Sequence, residues 1–303
     1  MLFGTAAAAA AAALLDSAWE RKSLTRAEYT IRSKKITSGE YRFVFLSDLH
    51  DNVFGKDNCR LLRAVEAFRP DAVLIGGDMM TVKRTAEIGL TLKLVEELAE
   101  RWPICYADGN HETRMDRDRG IYGDLYDRLE KGLRRAGAEH LKDRSCILRE
   151  DLRVTGITIT DDYYKKVFCK KMDPEYIRQR AGLSDKERFQ ILLAHTPMFP
   201  DVYEEWGADL TLAGHFHGGT IQLPGGIGLM TPQFQFFRKD VTGRHEHGNS
   251  TMLVSPGLGT HSVNLRLNNR PQIVAVQLLP EDLQGNSDGE NNGRRVIIQA
   301  GEI

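Results

Sequence analysis

Residues 41–50 have the sequence Tyr-Arg-Phe-Val-Phe-Leu-Ser-Asp-Leu-His. The first six positions partly alternate and carry aromatic and β-branched side chains, which predicts a strand that ends at Asp48. Asp48 and His50 lie two residues apart on an extended exit, so their side chains point the same way and can share one metal ion. Ligands at the end of a strand are fixed by a rigid scaffold and open onto a solvent-accessible rim.

Four further blocks repeat this arrangement along the chain. Each places an aspartate, asparagine or histidine in or just after an apolar run, where a strand is expected to pass into a loop. One such block would occur often by chance, but five in this order and context indicate a two-metal phosphoesterase site. The four further blocks are Gly76-Gly77-Asp78, Gly109-Asn110-His111-Glu112, Ala194-His195-Thr196 and Gly214-His215-Phe216-His217.

The pattern of elements changes halfway along the chain. In the first half, short apolar strands alternate with amphipathic helices, at 41–46, 57–68, 72–75, 85–100, 104–107 and 125–133. In the second half, one clear helix around 174–182 accompanies strands at 152–159, 190–194, 209–213, 219–223, 251–254 and 272–278. An α/β half followed by a β-rich half predicts an α/β (α+β) fold, in which two mixed β-sheets pack face to face with helices outside.

The five blocks resemble the signature of the calcineurin-like metallophosphoesterase superfamily, over roughly residues 41–279. Within it, the chain is most similar to a bacterial branch of membrane-associated metallophosphoesterases. The shared features are an apolar N-terminal segment, the pair Gly218-Gly219, and the stretch 255–260 leading to Asn269-Arg270-Pro271. The resemblance implies that superfamily's four-layer sandwich, the calcineurin-like phosphoesterase fold.

The resemblance also implies the roles of the site residues. Two divalent metal ions (Mn, Fe, Zn or Mg) are expected, with Asp78 as the bridging carboxylate and the glycines beside it making room for metal and phosphate. His111 is expected beside the leaving-group oxygen, as a proton donor or a stabiliser of developing charge. Glu112 either holds His111 or is a solvated surface residue. The implied metal ligands are Asp48, His50, Asp78, Asn110, His195, His215 and His217.

Composition limits the classes of partner. The formal net charge is −1, from 41 basic and 42 acidic residues, which argues against a dedicated nucleic-acid binder. The four cysteines have no C-x-x-C spacing, which favours free thiols in a reducing compartment. Histidines outside the five blocks are interpreted as non-ligands, with His245 and His247 in an exposed loop. The cysteines are Cys59, Cys105, Cys146 and Cys169, and the other isolated histidines are His140 and His261.

Three regions are predicted: an apolar N-terminal segment at 1–22, a metallophosphoesterase domain at 41–280 and a polar C-terminal tail at 281–303. Residues 1–15 are shorter than the roughly 20 residues that a spanning helix needs, and they fit either a membrane anchor or a soluble alanine-rich helix. If they insert, the basic residues Arg21, Lys22 and Arg26 favour a cytoplasmic globular domain. The alternative is a soluble cytoplasmic protein.

The leading functional hypothesis is a phosphoesterase that cleaves a phosphodiester or pyrophosphate bond of a lipid-linked or nucleotide-lipid substrate at the membrane. The branch resemblance implies activity similar to UDP-2,3-diacylglucosamine hydrolase. Segments 163–171 and 227–239 interleave aromatic and basic residues, which suits a headgroup boundary or a packed cover on the core. The alternatives are a soluble nucleotide phosphodiesterase and a non-catalytic metal-bound scaffold. The sequence does not determine the oligomeric state.

Overall fold

The computed structural model describes residues 2–166, 170–260, 263–281 and 294–297. Its helices are α1 (Leu2–Glu20), α2 (Cys59–Glu66), α3 (Gly89–Ala99), α4 (Asn110–Arg117), α5 (Arg119–Tyr122), α6 (Leu125–Arg135), α7 (Glu175–Ala181) and α8 (Pro200–Trp206). Its strands are β1 (Thr25–Ser33), β2 (Tyr41–Leu46), β3 (Ala72–Ile75), β4 (Ile104–Tyr106), β5 (Glu139–His140), β6 (Arg144–Arg149), β7 (Leu152–Ile157), β8 (Phe189–Ala194), β9 (Leu210–Ala213), β10 (Gln222–Leu223), β11 (Ile227–Met230), β12 (Phe236–Arg238), β13 (Gly243–His247), β14 (Ser250–Val254), β15 (Gln272–Pro280) and β16 (Arg294–Ile297).

The strands form two large mixed sheets and one small one. The first sheet has the order β16-β1-β15-β2-β3-β4-β5, the second β13-β14-β9-β8-β7-β6, and the small sheet β10-β11-β12. Strands β2 to β5 run parallel in the first sheet, and β7, β8, β9 and β14 run parallel in the second. Because parallel neighbours end at the same edge of a sheet, the loops after β2, β3, β4, β8 and β9 are brought together.

The core consists of buried clusters between four layers. Along β2, Phe43 and Phe45 face the second sheet, while Val44 and Leu46 face the helices, as the two-residue period of a strand requires. Helices α2, α3, α4 and α6 cover the outer face of the first sheet, and α7 and α8 cover the outer face of the second. The predicted four-layer sandwich of two packed mixed sheets is confirmed.

Strand β1 was not predicted, yet it lies inside the first sheet. It pairs in parallel with β15 over nine residues, and Thr25, Ala27, Tyr29 and Ile31 are buried on alternate positions. On its other side, β1 pairs with β16. The sheet therefore extends beyond residues 41 and 280, the limits expected for the domain.

Several local expectations differ from the structure. Residues His217–Gly219 form a short helical turn, so the strand expected at 219–223 is limited to β10. His245 and His247 lie in the edge strand β13, not in a loop, because their backbone pairs with β14. The sulfur atoms of Cys105 and Cys146 lie 3.2 Å apart without a bridge. Cys169, His261 and most of the expected polar tail fall outside the described residues.

Helix α1 contains the apolar N-terminal segment and ends against the globular domain. Among the residues that the structure describes, no helix is both long and apolar enough to cross a membrane. Leu14, Leu15 and Trp19 are exposed, whereas Ser17 and Glu20 are buried at the end of the helix. The last turns of α1 are therefore packed on the domain.

Candidate metal centre

All seven predicted ligands and His111 converge at one edge of the two sheets. The loops after β2 and β3 bring Asp48, His50 and Asp78, and the first turn of α4, which follows β4, brings Asn110 and His111. The segments after β8 and β9 bring His195, His215 and His217. Three overlapping groups have their ligand atoms within 4.8 Å of one another. They are Asp48 with His50 and His217, Asp78 with His195 and His215, and His50 with Asp78 and His111.

Asp78 belongs to two of these three groups and links them. Its Oδ2 atom is 3.2 Å from His195 Nε2 and 3.6 Å from His50 Nε2. Beyond His50, the Nε2 atoms of His50 and His217 are 3.2 Å apart, and Asp48 Oδ1 is 3.4 Å from His217 Nε2. Asp48 Oδ1 also lies 3.8 Å from His195 Nε2, but Asp78 Oδ2 approaches histidines of both groups more closely, which supports the proposed bridging role of Asp78.

The loops hold these side chains in unusual backbone conformations. Five candidate ligands have positive φ angles, a region that costs a non-glycine residue energy and is concentrated at functional sites. Gly77 allows this packing, because a Cβ atom there would lie 1.9 Å from the Gly109 nitrogen. Likewise, a Cβ atom on Gly214 would lie 2.1 Å from a carboxylate oxygen of Asp48. The five residues are Asp48, His50, Asp78, His215 and His217.

Hydrogen bonds fix the tautomers of two histidines. His195 Nδ1 lies 2.7 Å from the Gly76 carbonyl oxygen, and His217 Nδ1 lies 3.2 Å from that of Gly259. A carbonyl oxygen only accepts, so each Nδ1 carries a proton, and in the neutral ring each Nε2 presents a lone pair to the centre. This arrangement is the one that a metal-binding imidazole requires.

Asn110 supplies a test of whether the residues fit a metal ion. Its side-chain oxygen is buried and has no hydrogen-bond donor among the described residues. A buried oxygen without a donor is costly, and a cation satisfies it without adding negative charge to the site. Together with two carboxylates and several imidazoles, this oxygen makes a donor set that fits divalent metal ions.

His111 has the opposite tautomer. Its Nδ1 accepts a 2.5 Å hydrogen bond from the backbone N–H of Val82, so in the neutral ring the proton is on Nε2. Nε2 lies 3.9 Å from Asp78 Oδ2 and is buried at the centre. Although His111 is within metal-binding reach, a protonated Nε2 suits hydrogen-bond or proton donation better than coordination. This supports the catalytic role expected for it.

Burial and mutual charge shift the acidities of the site. Burial raises the pKa of Asp48 to about 6, although His195 opposes this. Burial also acts to raise the pKa of Asp78, but His195 and two further histidines hold it well below its usual range. Burial acts to lower the pKa of His195, but the negative charges of Asp78 and Asp48 outweigh it and raise the pKa to about 10. Cations and protons therefore compete for these side chains.

Glu112 matches neither of its expected roles. It is fully buried, and its two carboxylate oxygens accept hydrogen bonds from the backbone N–H groups of Asp78, Met79 and Gly109 and from the Tyr106 hydroxyl. Glu112 thus holds the loop that carries Asp78 and does not hold His111. Burial raises its pKa to about 7, and the charge of Asp78 adds to the effect.

We expect Glu112→Gln to weaken metal binding by roughly 10–100-fold, the usual cost of losing a group that orients a ligand. Glutamine offers one acceptor oxygen, and its amide group would face backbone N–H donors that the carboxylate satisfies. Titration of the metal-stripped protein with Mn²⁺ or Zn²⁺ measures the effect. Glu96→Gln, at an exposed position of α3, is the control, and wild-type affinity in Glu112→Gln would contradict the assignment.

Other supporting residues were not predicted. Tyr164 packs edge-on against His215, with ring centroids 4.8 Å apart, so part of segment 163–171 faces the site. The Asn269 amide donates to the carbonyl oxygens of His217 and Thr220. The only sequence signal was the motif at 269–271. Gly218 makes room for the Asn269 side chain, because a Cβ atom there would lie 2.3 Å from the Asn269 side-chain oxygen.

Arg266 is a further supporting residue that the sequence did not predict. Its guanidinium is buried and donates to the carbonyl oxygens of Pro256, Gly257 and Gly259. Gly259 is the residue whose carbonyl oxygen orients His217. The segment after β14 is therefore held by a buried cation directly behind a candidate ligand.

A family model for calcineurin-like phosphoesterases matches residues 41–219, more than half of the chain. The chain belongs to the calcineurin-like phosphoesterase family. Members of this family use a dinuclear divalent metal centre, and the protein is a hydrolase that acts on phosphoester bonds.

Several curated proteins are similar to this chain over most of their length. YpbG of Bacillus subtilis is 27% identical over 77% of this chain and 79% of its own. Phosphodiesterase YaeI of Escherichia coli is 24% identical over 81% of this chain and 84% of its own. The metallophosphoesterase YkuE of Bacillus subtilis is 27% identical over 83% and 84%. A 5'-nucleotidase precursor from Thermus thermophilus aligns with a TM-score of 0.41 and 15% identity, over 79% of this chain and 54% of that one.

Proposed function

We propose that the protein hydrolyses a phosphodiester or pyrophosphate bond of a lipid-linked or nucleotide-lipid substrate at a membrane surface. Two divalent cations would polarise the phosphate and lower the pKa of a water molecule, which is the chemistry they supply when bound. Asp78 bridges the two ligand groups, and Asn110 belongs with the second. The first group is Asp48, His50 and His217, and the second is Asp78, His195 and His215.

The remaining steps belong to the protein's own side chains. Asp78 is held by the backbone N–H of His111, which donates to its Oδ1 at 2.8 Å. This bond fixes His111 relative to the bridging carboxylate. The Nε2–H of His111 donates to the leaving-group oxygen as the phosphorus–oxygen bond breaks, which stabilises the charge that develops there.

An apolar cavity beside His217 is the observation that supports a lipid-linked substrate. The cavity has a volume of about 60 Å³, and Met230, Pro232, Phe234 and Leu265 are among the residues that line it. A small cavity with mostly apolar walls next to a candidate ligand suits a few carbon atoms attached to a phosphate, and Lys166 and Arg266 also line it. A hydrophobic leaving or retained group would lie here.

Exposed apolar side chains continue outward from this cavity. Phe234, Phe236 and Phe237 are 51%, 57% and 62% exposed, and Lys166 lies over the Phe234 ring. Exposed aromatic residues with basic neighbours suit the headgroup boundary of a membrane. The exposed Leu14 and Leu15 of α1 add a second apolar contact, and two weak contacts bind a membrane better than one.

Metal reconstitution tests the core of the proposal. The metal-stripped protein is loaded with Mn, Zn, Fe or Mg and assayed on soluble mono- and diester chromogens and on vesicle-embedded phospholipid or nucleotide-lipid substrates. Metal-dependent cleavage of diesters with preference for the embedded substrate is expected. Preference for soluble nucleotide diesters would favour a soluble nucleotide phosphodiesterase, and metal binding without turnover would favour a scaffold.

Deleting residues 1–15 is expected to lower binding to anionic vesicles and hydrolysis of lipid-embedded substrate together. The deletion stops at residue 15 because Ser17 and Glu20 bind the segment that supports His217, through the backbone N–H groups of Arg266 and Asn269. Co-sedimentation measures vesicle binding, and cleavage of a soluble diester serves as the control for an intact site. If the full-length and truncated proteins pellet equally with vesicles and hydrolyse the lipid substrate equally, residues 1–15 have no role in membrane binding.

A further inference from the structure

A second, polar cavity opens beside the metal centre. Its volume is about 250 Å³, and its lining includes the candidate ligand His50 together with Asn52 and Asn264. Arg21 and Lys22, which directly follow α1, also line it. The cavity shares Thr260 and Arg266 with the apolar cavity described above. The two cavities therefore adjoin the same site but differ in chemistry.

The polar cavity carries an excess of positive charge. Three basic residues, Arg21, Lys22 and Arg266, line it, whereas Asp51 is the one carboxylate in its lining. The Asp51 carboxylate accepts a hydrogen bond from the backbone N–H of Thr81. Such a balance favours an anionic occupant.

Neutral acceptors position the side chains of Arg21 and Lys22. Lys22 Nζ donates to the Asn52 side-chain oxygen at 3.0 Å and Arg21 Nε donates to the Ser17 carbonyl oxygen at 3.3 Å. Within the described part of the chain, neither cation forms an ion pair with a carboxylate. Their charge is thus held at the cavity without being neutralised, which is how phosphate-binding side chains are arranged.

We propose that this cavity binds a second phosphate group of the substrate, next to the phosphate that is cleaved. The inference rests on the proposed function, because His50 is both a wall of the cavity and a candidate ligand. A group in the cavity would lie directly beside a phosphate at the metal centre. The residues that follow α1 then belong to the active site, although the sequence placed them outside the catalytic domain.

Paired ligands that differ by one phosphate test the proposal. Calorimetry with the full-length, Mn²⁺-loaded protein compares the affinity for ADP with that for AMP, and the affinity for thymidine 3′,5′-bisphosphate with that for thymidine 5′-monophosphate. Each ligand is checked after the titration to show that it was not hydrolysed. The first pair tests for a second phosphate joined to the first as a pyrophosphate, and the second pair tests for a second phosphate that is separated from the first by the sugar. In wild type, at least one pair should favour the second phosphate by about tenfold or more. In Arg21→Ala/Lys22→Ala, that ratio should fall to about two or less.

A matched control separates local binding from overall charge. Arg63→Ala/Lys131→Ala removes the same charge from exposed positions of α2 and α6 and should keep the wild-type ratio. Lys22→Ala alone, at an exposed position, guards against a folding defect and should lose part of the ratio. Ratios near one in wild type, or equal losses in both double variants, would overturn the proposal.

The failure of this inference is distinguishable from failure of the proposed function. Cleavage of bis(p-nitrophenyl) phosphate reports the phosphodiesterase alone, since that substrate has one phosphate. Affinity ratios for the paired ligands do not depend on turnover. If the affinity ratio is preserved but the diester is not cleaved, the second phosphate site stands and the proposed function is rejected. If the diester is cleaved but the affinity ratio is near one, the proposed function stands and the second phosphate site is rejected.

Discussion

Replacing Asp78 with asparagine is expected to abolish turnover and to lower the metal content of the protein. Its carboxylate approaches His50 and His195 of the two ligand groups, so it would face the charge of both cations when they are bound. A neutral amide does not offset that charge and offers one oxygen in place of two. Metal analysis of the purified variant and its activity on a diester chromogen measure the effect.

Asp143→Asn is a closely matched control for this substitution. Asp143 also has a positive φ angle, 53° against 54° for Asp78, and it also accepts a backbone N–H hydrogen bond, from Thr158. Both exchanges therefore place asparagine at a left-handed position that accepts a backbone hydrogen bond, and Asp143→Asn in addition weakens the ion pair with Arg180. If Asp78→Asn kept two metals per chain and wild-type turnover, Asp78 would not be the bridging residue.

The ligand blocks could be predicted because their signal is local. Each consists of a strand-forming run and the polar residues directly after it, and parallel strands bring such ends to one edge of a sheet. The same rule placed β2 and β3 at their observed positions, 41–46 and 72–75. The four-layer fold followed from the order of the elements along the chain.

The residues that support the ligands could not be predicted in this way. Glu112 accepts a hydrogen bond from Asp78, 34 residues away, and Ser17 accepts one from Arg266, 249 residues away. Neither pair leaves a pattern in a short window of sequence, since the contact exists only after the loops have been assembled. Histidine tautomers are of the same kind, because the partner of Nδ1 comes from another loop.

Strand β1 was not predicted for a different reason. Its buried face alternates with charged Arg26 and Glu28, which pair with each other at the surface. The alternation is present in the sequence, but it follows the end of α1 after a short turn and lies between the two regions predicted at 1–22 and 41–280. Pairing with β15, which is remote in sequence, decides that this segment belongs to the sheet.

His111→Ala is expected to retain both metals and to lose roughly 10²–10⁴-fold in kcat, the range for one general-acid group. His111 Nδ1 accepts from Val82, so the ring presents Nε2–H and not a lone pair to the centre. His140→Ala is the control, because His140 pairs with Asp108 outside the metal groups. Metal analysis and steady-state kinetics on an alkyl diester measure both variants.

The leaving group separates proton donation from other roles of His111. A p-nitrophenolate leaving group needs little protonation, so the loss in His111→Ala should be much smaller on bis(p-nitrophenyl) phosphate than on an alkyl diester. Equal losses on both substrates would argue against donation and favour charge stabilisation or positioning. Loss of metal from His111→Ala would instead make His111 a ligand, and the Nδ1 hydrogen bond from Val82 would then have to break on metal binding, because a coordinating Nε2 in a neutral ring requires the proton on Nδ1.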